Sequence, residues 1–82
     1  MMPDEEVVRP LADSLGSALR LARIRRHMTQ KQLSAASGIA QGDISRLEHG
    51  QACPTIRTIA RLAQALGTHV VLELLEKETK CN

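Results

Sequence analysis

The sequence predicts an all-α domain of four to five helices, closed at its C-terminal end by a β-strand. Two observations carry that expectation. Apolar residues recur at helical spacing through the middle of the chain, and residues that start and stop helices stand at the ends of those stretches. With 82 residues and 9.0 kDa there is room for one small domain and no second one. Phe, Tyr and Trp are absent, so the core must be aliphatic.

Each element follows from its own residues. Leu15, Ala18, Leu19 and Ala22 stand at i, i+3, i+4 and i+7 and mark the buried stripe of a first helix. Thr29 followed by Gln32 fits a capping box that opens a second helix, whose apolar pair is Leu33 with Ala36. Gly38 can supply the positive φ of a sharp turn before a third helix, from Ala40 or Gln41 to His49, which buries Ile44 and Leu47. Thr55 after Pro54 is a good N-cap for a fourth, with Ile56, Ile59, Ala60, Ala63 and Leu66 on its apolar side. Gly50 and Gly67 stand as C-terminal stops. In the stretch THVVLELL, the alternation of Val70, Leu72 and Leu74 and the β-branched start favour a strand, while Val70, Val71, Leu74 and Leu75 would also satisfy a helix. The expected organisation is a flexible arm over 1–12, where two prolines meet an acidic cluster, a helical domain over 13–67, a dimerisation strand over 68–76 and a tail over 77–82.

Charge is unevenly spread. The net value of +2 conceals a stretch from Ser14 to Gly67 with eight basic groups against two acidic ones, flanked by acidic ends. Such a unit attracts polyanions, although a solvated basic face without a partner would look the same. Without aromatic rings the chain lacks the stacking platforms of single-strand and RRM-type RNA binders. The start MMPDEE has acid where a secretory signal needs basic residues, and no apolar run approaches a membrane span. A cytoplasmic protein that makes no membrane contact is expected, with Cys53 and Cys81 as free thiols.

Four helices in about 55 residues, with a glycine turn between two short central ones, have the geometry of a helix-turn-helix. The run TQKQLSAASGIAQGDISRLEHG, followed by PTIRTIARLAQALG, resembles the phage-repressor and Cro-type (XRE) helix-turn-helix proteins over about Leu15 to Leu66. The matching elements are Arg23, Thr29-Gln30, Leu33, Gly38, Ile44-Ser45, Glu48 with Gly50, Pro54 and Ala65-Leu66-Gly67. The resemblance implies a lambda-repressor-like fold whose third helix enters the DNA major groove. His27 where glycine is usual, and Ala40 in place of a Ser or Thr cap, depart from the pattern. Ser34 in place of alanine is a departure of little expected consequence.

The resemblance and the chemistry together nominate Thr29, Gln30, Lys31, Gln41, Gly42, Ser45 and Arg46 for DNA contact. Gln30 stands at the second helix's N-terminus, where unsatisfied N–H groups suit a phosphate; the family uses a glutamine there to grip the backbone. Gln41, Gly42, Ser45 and Arg46 lie opposite Ile44 and Leu47 on the third helix. Glutamine can bind adenine and arginine guanine in a bidentate way, and Gly42 permits close approach. Arg46 could instead grip a phosphate. Arg23 and Glu48 stand where relatives form a partly buried salt bridge, the alternative being an exposed Arg23 on phosphate; with Gly38 they form the structural set.

The three histidines and two cysteines include no closely spaced ligand pair, so neither a metal nor another cofactor is expected. No phosphate loop, nucleophile with base, or carboxylate pair in an apolar setting suggests an enzyme. The expectation is a sequence-specific repressor of double-stranded DNA, acting as a homodimer on a palindromic operator. Within the family, a short domain ending in a hydrophobic strand resembles antitoxins, which would add a toxin protein as partner. The rival from another class is an adaptor that uses the same fold without reading DNA.

Overall fold

The computed structural model describes residues 4–74. Among them are four helices: α1 (Asp4–Arg25), α2 (Gln30–Ser37), α3 (Gln41–Glu48) and α4 (Ile56–Ala65). α3 packs on α1 and α2, and α2 also packs on α4. Leu19, Leu33, Ile44, Leu47, Leu62 and Leu66 form the aliphatic core, with Leu15, Ala22, Met28 and Ile39 partly buried against it.

α1 starts well before the first expected stripe. Residues 4–12, expected as a flexible arm, are helical, and Pro10 lies inside the helix. Burial of Ala12 anchors this part of the helix. Pro10 removes one N–H donor there without ending the helix.

The interior helix boundaries follow from capping chemistry. Thr29 Oγ1 accepts from the Gln32 N–H at 3.0 Å while Gln32 Oε1 accepts from the Thr29 N–H at 2.8 Å. Thr55 Oγ1 likewise accepts from the Thr58 N–H at 3.2 Å. At the end of α1 the chain turns through His27, which holds φ at 54° where glycine is more at ease. Arg26 Nη2 reaches from that turn to donate to Gly67 O at 3.2 Å, tying the end of α1 to the end of α4.

α4 buries only part of its expected apolar side. Ala63 and, at the C-cap, Leu66 are buried as expected and Ile59 is half-buried, but Leu62 is buried too, whereas Ala60 is exposed and Ile56 keeps 75% of its surface in solvent. Leu62 and Leu66, one turn apart, bring the larger aliphatic volume to the core and turn Ile56 and Ala60 outward. Of the strand expected over 68–76, Thr68–Leu74 has no regular secondary structure, and Leu75 and Glu76 lie outside the described residues. A strand needs a neighbouring strand to pair with, and the described residues contain no other strand. The 77–82 tail also lies outside the described residues.

Candidate nucleic-acid interface

α2, a short turn and α3 build the candidate surface, and the turn sets the angle between them. Gly38 adopts φ 76°, and its N–H donates to Ser34 O at 2.9 Å. A side chain at this position would meet nothing within 4 Å, so backbone conformation and not space calls for glycine. Ser34 Oγ donates to Ile39 O at 2.6 Å, and the Ile39 N–H donates to Ser37 Oγ at 3.1 Å. Ser34, expected to matter little, therefore braces the turn, satisfying a carbonyl where neither helix supplies a partner.

α3 is seated against α1 at Gly16. A methyl group there would fall 2.1 Å from the backbone oxygen of Leu47, so the two backbones touch only because position 16 has no side chain. Gly16 is not among the residues nominated from the sequence; an isolated glycine within the helical apolar pattern, which costs helix stability, was the available signal.

The C-terminal end of α3 is fixed by a two-pronged ion pair. Arg23 Nε donates to Glu48 Oε2 at 2.7 Å and Nη2 to Oε1 at 2.9 Å. Nη1 donates to Met28 O at 2.8 Å, so one guanidinium holds α3 and the turn after α1 together. The Glu48 side chain is 2% exposed and that of Arg23 13%. Burial alone would push the Glu48 carboxyl upward, but hydrogen bonds from Arg23 and Gln30, with the charges of Arg23 and Arg20, outweigh it and hold the group below the ordinary glutamate value. The same contact raises the Arg23 guanidinium further.

Gln30 has a double position. It is half-buried at the N-terminus of α2, and its Nε2 donates to Glu48 Oε1 at 3.2 Å, linking the start of α2 to the end of α3. Thr29 uses its hydroxyl oxygen as the cap acceptor and keeps its O–H for another partner. Lys31 is exposed in the same turn.

On α3, Ile44 and Leu47 are buried while Gln41, Gly42 and Arg46 are exposed and Ser45 is half-buried. The four nominated residues therefore lie on the side turned from the core. Ala40 makes no side-chain hydrogen bond at the N-cap, which leaves the first N–H groups of α3 without a side-chain acceptor. Asp43, not singled out from the sequence, accepts a hydrogen bond from Arg46 Nη2. Their i, i+3 spacing was the available signal.

Comparison with known proteins agrees with this geometry. A helix-turn-helix family model matches residues 19–72. The chain is 46% identical over 61 residues to the uncharacterized HTH-type transcriptional regulator y4dJ of Sinorhizobium fredii, covering 71% of this chain and 79% of that protein. It is 41% identical over 54 residues to the regulator y4dL of the same organism and 42% identical over 55 residues to the HTH-type transcriptional repressor RghR of Bacillus subtilis. Each of those alignments covers 66% of this chain, but 28% of y4dL and 41% of RghR. No solved structure gives a significant match.

Proposed function

The chain belongs to the phage-repressor (XRE) type of helix-turn-helix protein and is a DNA-binding transcriptional regulator, and from that premise we propose that it represses by occupying a palindromic operator as a homodimer. The observation that carries this proposal is the exposed side of α3, where Gln41, Ser45 and Arg46 surround a glycine on a helix whose other side is locked into the core. Hydrogen-bonding side chains on the outer face of a rigid, slender helix are what major-groove readout requires. Gln30, Thr29 and Lys31 at the start of α2 supply phosphate contacts that fix the register. A dimer covering promoter DNA excludes polymerase, so repression follows from occupancy.

The exposed aliphatic residues support a second copy as partner. Val7 and Leu11 on α1, Ile56 on α4, and Val70, Val71, Leu72 and Leu74 after it are all open to solvent. Val7, Leu11, Val70, Val71 and Leu72 line a single groove with Ile59. A chain this small gains stability from covering such a surface. An antiparallel pairing of Thr68–Leu74 with its own copy about a two-fold axis would do so and would give each segment the neighbour it lacks alone.

Titration of the DNA upstream of the chain's own reading frame against a scrambled duplex, at two salt concentrations, tests the proposal. A repressor binds its own site about a thousandfold or more tighter, weakens on both duplexes as salt rises, and sediments as a dimer. Equal affinity for the two duplexes would favour an adaptor.

A further inference from the structure

The Arg46 side chain is exposed but not fully extended. It folds back along α3, where Asp43 accepts from Nη2, and a methyl group built on Gly42 would lie 3.6 Å from Nη1 and 4.0 Å from Nη2. Both side chains remain slightly more than half exposed, at 56% for Arg46 and 55% for Asp43. The planar group thus lies over the bare backbone of position 42, toward the end of the helix that meets base edges. Asp43 occupies one of five guanidinium donors, and Nη1 donates to nothing among the described residues.

We infer that Asp43 is a positioning and specificity residue, which holds Arg46 over Gly42 with donors presented to a guanine edge and keeps it from phosphate. The inference rests on the proposal that Arg46 reads a base. Two physical effects follow from one carboxylate. An arginine restrained before binding loses less rotamer freedom when it meets guanine O6 and N7, so the correct base gains. A carboxylate on the DNA-facing side of α3 also repels the phosphates that an unrestrained arginine would reach, so non-specific binding is weakened. Gly42 is the third part, because a large side chain there would take the space in which the guanidinium lies.

Wild-type protein, Asp43→Ala, Asp43→Asn and Arg46→Ala can each be used to select from a pool of random-sequence DNA duplexes, and their affinity for an alternating A·T duplex measured alongside. The expected result is a guanine in the wild-type site that Arg46→Ala no longer demands. Asp43→Ala should reduce the preference for that guanine about fivefold or more while raising affinity for the A·T duplex about threefold, with Asp43→Asn between it and wild type. Asp43 acting only as a first-turn carboxylate that stabilises α3 would lower binding to all duplexes together and leave the guanine preference intact, which would overturn the inference. If Arg46→Ala keeps the wild-type preference at every position, base reading by Arg46 fails and the role of Asp43 falls with it. If Arg46→Ala loses the guanine and Asp43→Ala matches wild type in both measurements, base reading stands and the positioning role alone is refuted.

Discussion

α2 and α3 are both eight residues long, yet one is secured by its own sequence and the other by its neighbours. α2 opens with a reciprocal Thr29–Gln32 capping box and closes on a left-handed glycine. α3 opens on Ala40 without a side-chain cap and carries a glycine one residue inside its first turn. Its place is fixed from outside, by the bare contact with Gly16, the Arg23–Glu48 pair and the burial of Ile44 and Leu47. The difference teaches a division of labour. A helix oriented by its buried side and C-terminal end can leave its N-terminal turn and outer side chains to a ligand.

Removing the outside supports should hurt more than removing the inside ones. Arg23→Ala and Glu48→Ala each break a largely buried pair and should cost about 3 kcal/mol in urea unfolding, with coupling above ~0.5 kcal/mol in a double-mutant cycle. Strict additivity would mean that the pair does not act as a unit. Because the folded Glu48 carboxyl is held below its unfolded value, its contribution is complete above about pH 4.3 and is lost as pH falls through the lower folded value. The Glu48→Gln variant should therefore show less acid destabilisation below about pH 4 than the wild type.

Gly16→Ala comes next. Better helix propensity contributes about 1 kcal/mol, but separating α1 from α3 to admit the methyl group costs more, for a net loss of about 2 kcal/mol in the same assay. A neutral result would show that the two backbones can part without loss. The smallest effects test the caps themselves. Thr29→Ala should destabilise by about 1 kcal/mol, whereas Ala40→Ser should stabilise by about 0.5–1 kcal/mol, because only α2 already has the bond being altered. Equal and opposite changes at the two caps would sharpen the contrast; a silent Ala40→Ser would mean that α3 draws nothing from its own start.

Local chemistry made the interior of the fold legible. The capping box, the Thr55 cap and the glycine turn each depend on residues a few positions apart, and the structure forms all three. Elements that depend on distant partners were harder to read. Pro10 and the acidic start suggested an arm because the burial of Ala12 that anchors the extended α1 is a tertiary fact. Spacing alone offers α4 an apolar side, but the choice between Ile56 and Leu62 as its buried residue depends on which side α2 occupies. Alternation over 68–76 favours a strand but cannot supply the neighbour that a strand requires. At the candidate surface, the sequence nominated the outward residues of α3 but not Gly16, Ser34 or Asp43, each of which acts through a contact with another group.

The most direct test of base readout by α3 compares Arg46→Ala and Gln41→Ala with Lys31→Ala on the operator and on scrambled DNA. If the outer side of α3 reads sequence, the first two variants should each lose about 1–3 kcal/mol on the operator and almost nothing on scrambled DNA. Lys31→Ala should weaken both and lower the salt dependence by about one phosphate contact. Equal losses on the two DNAs for Arg46→Ala and Gln41→Ala would contradict the account, since contacts that do not discriminate between sequences are contacts to phosphate.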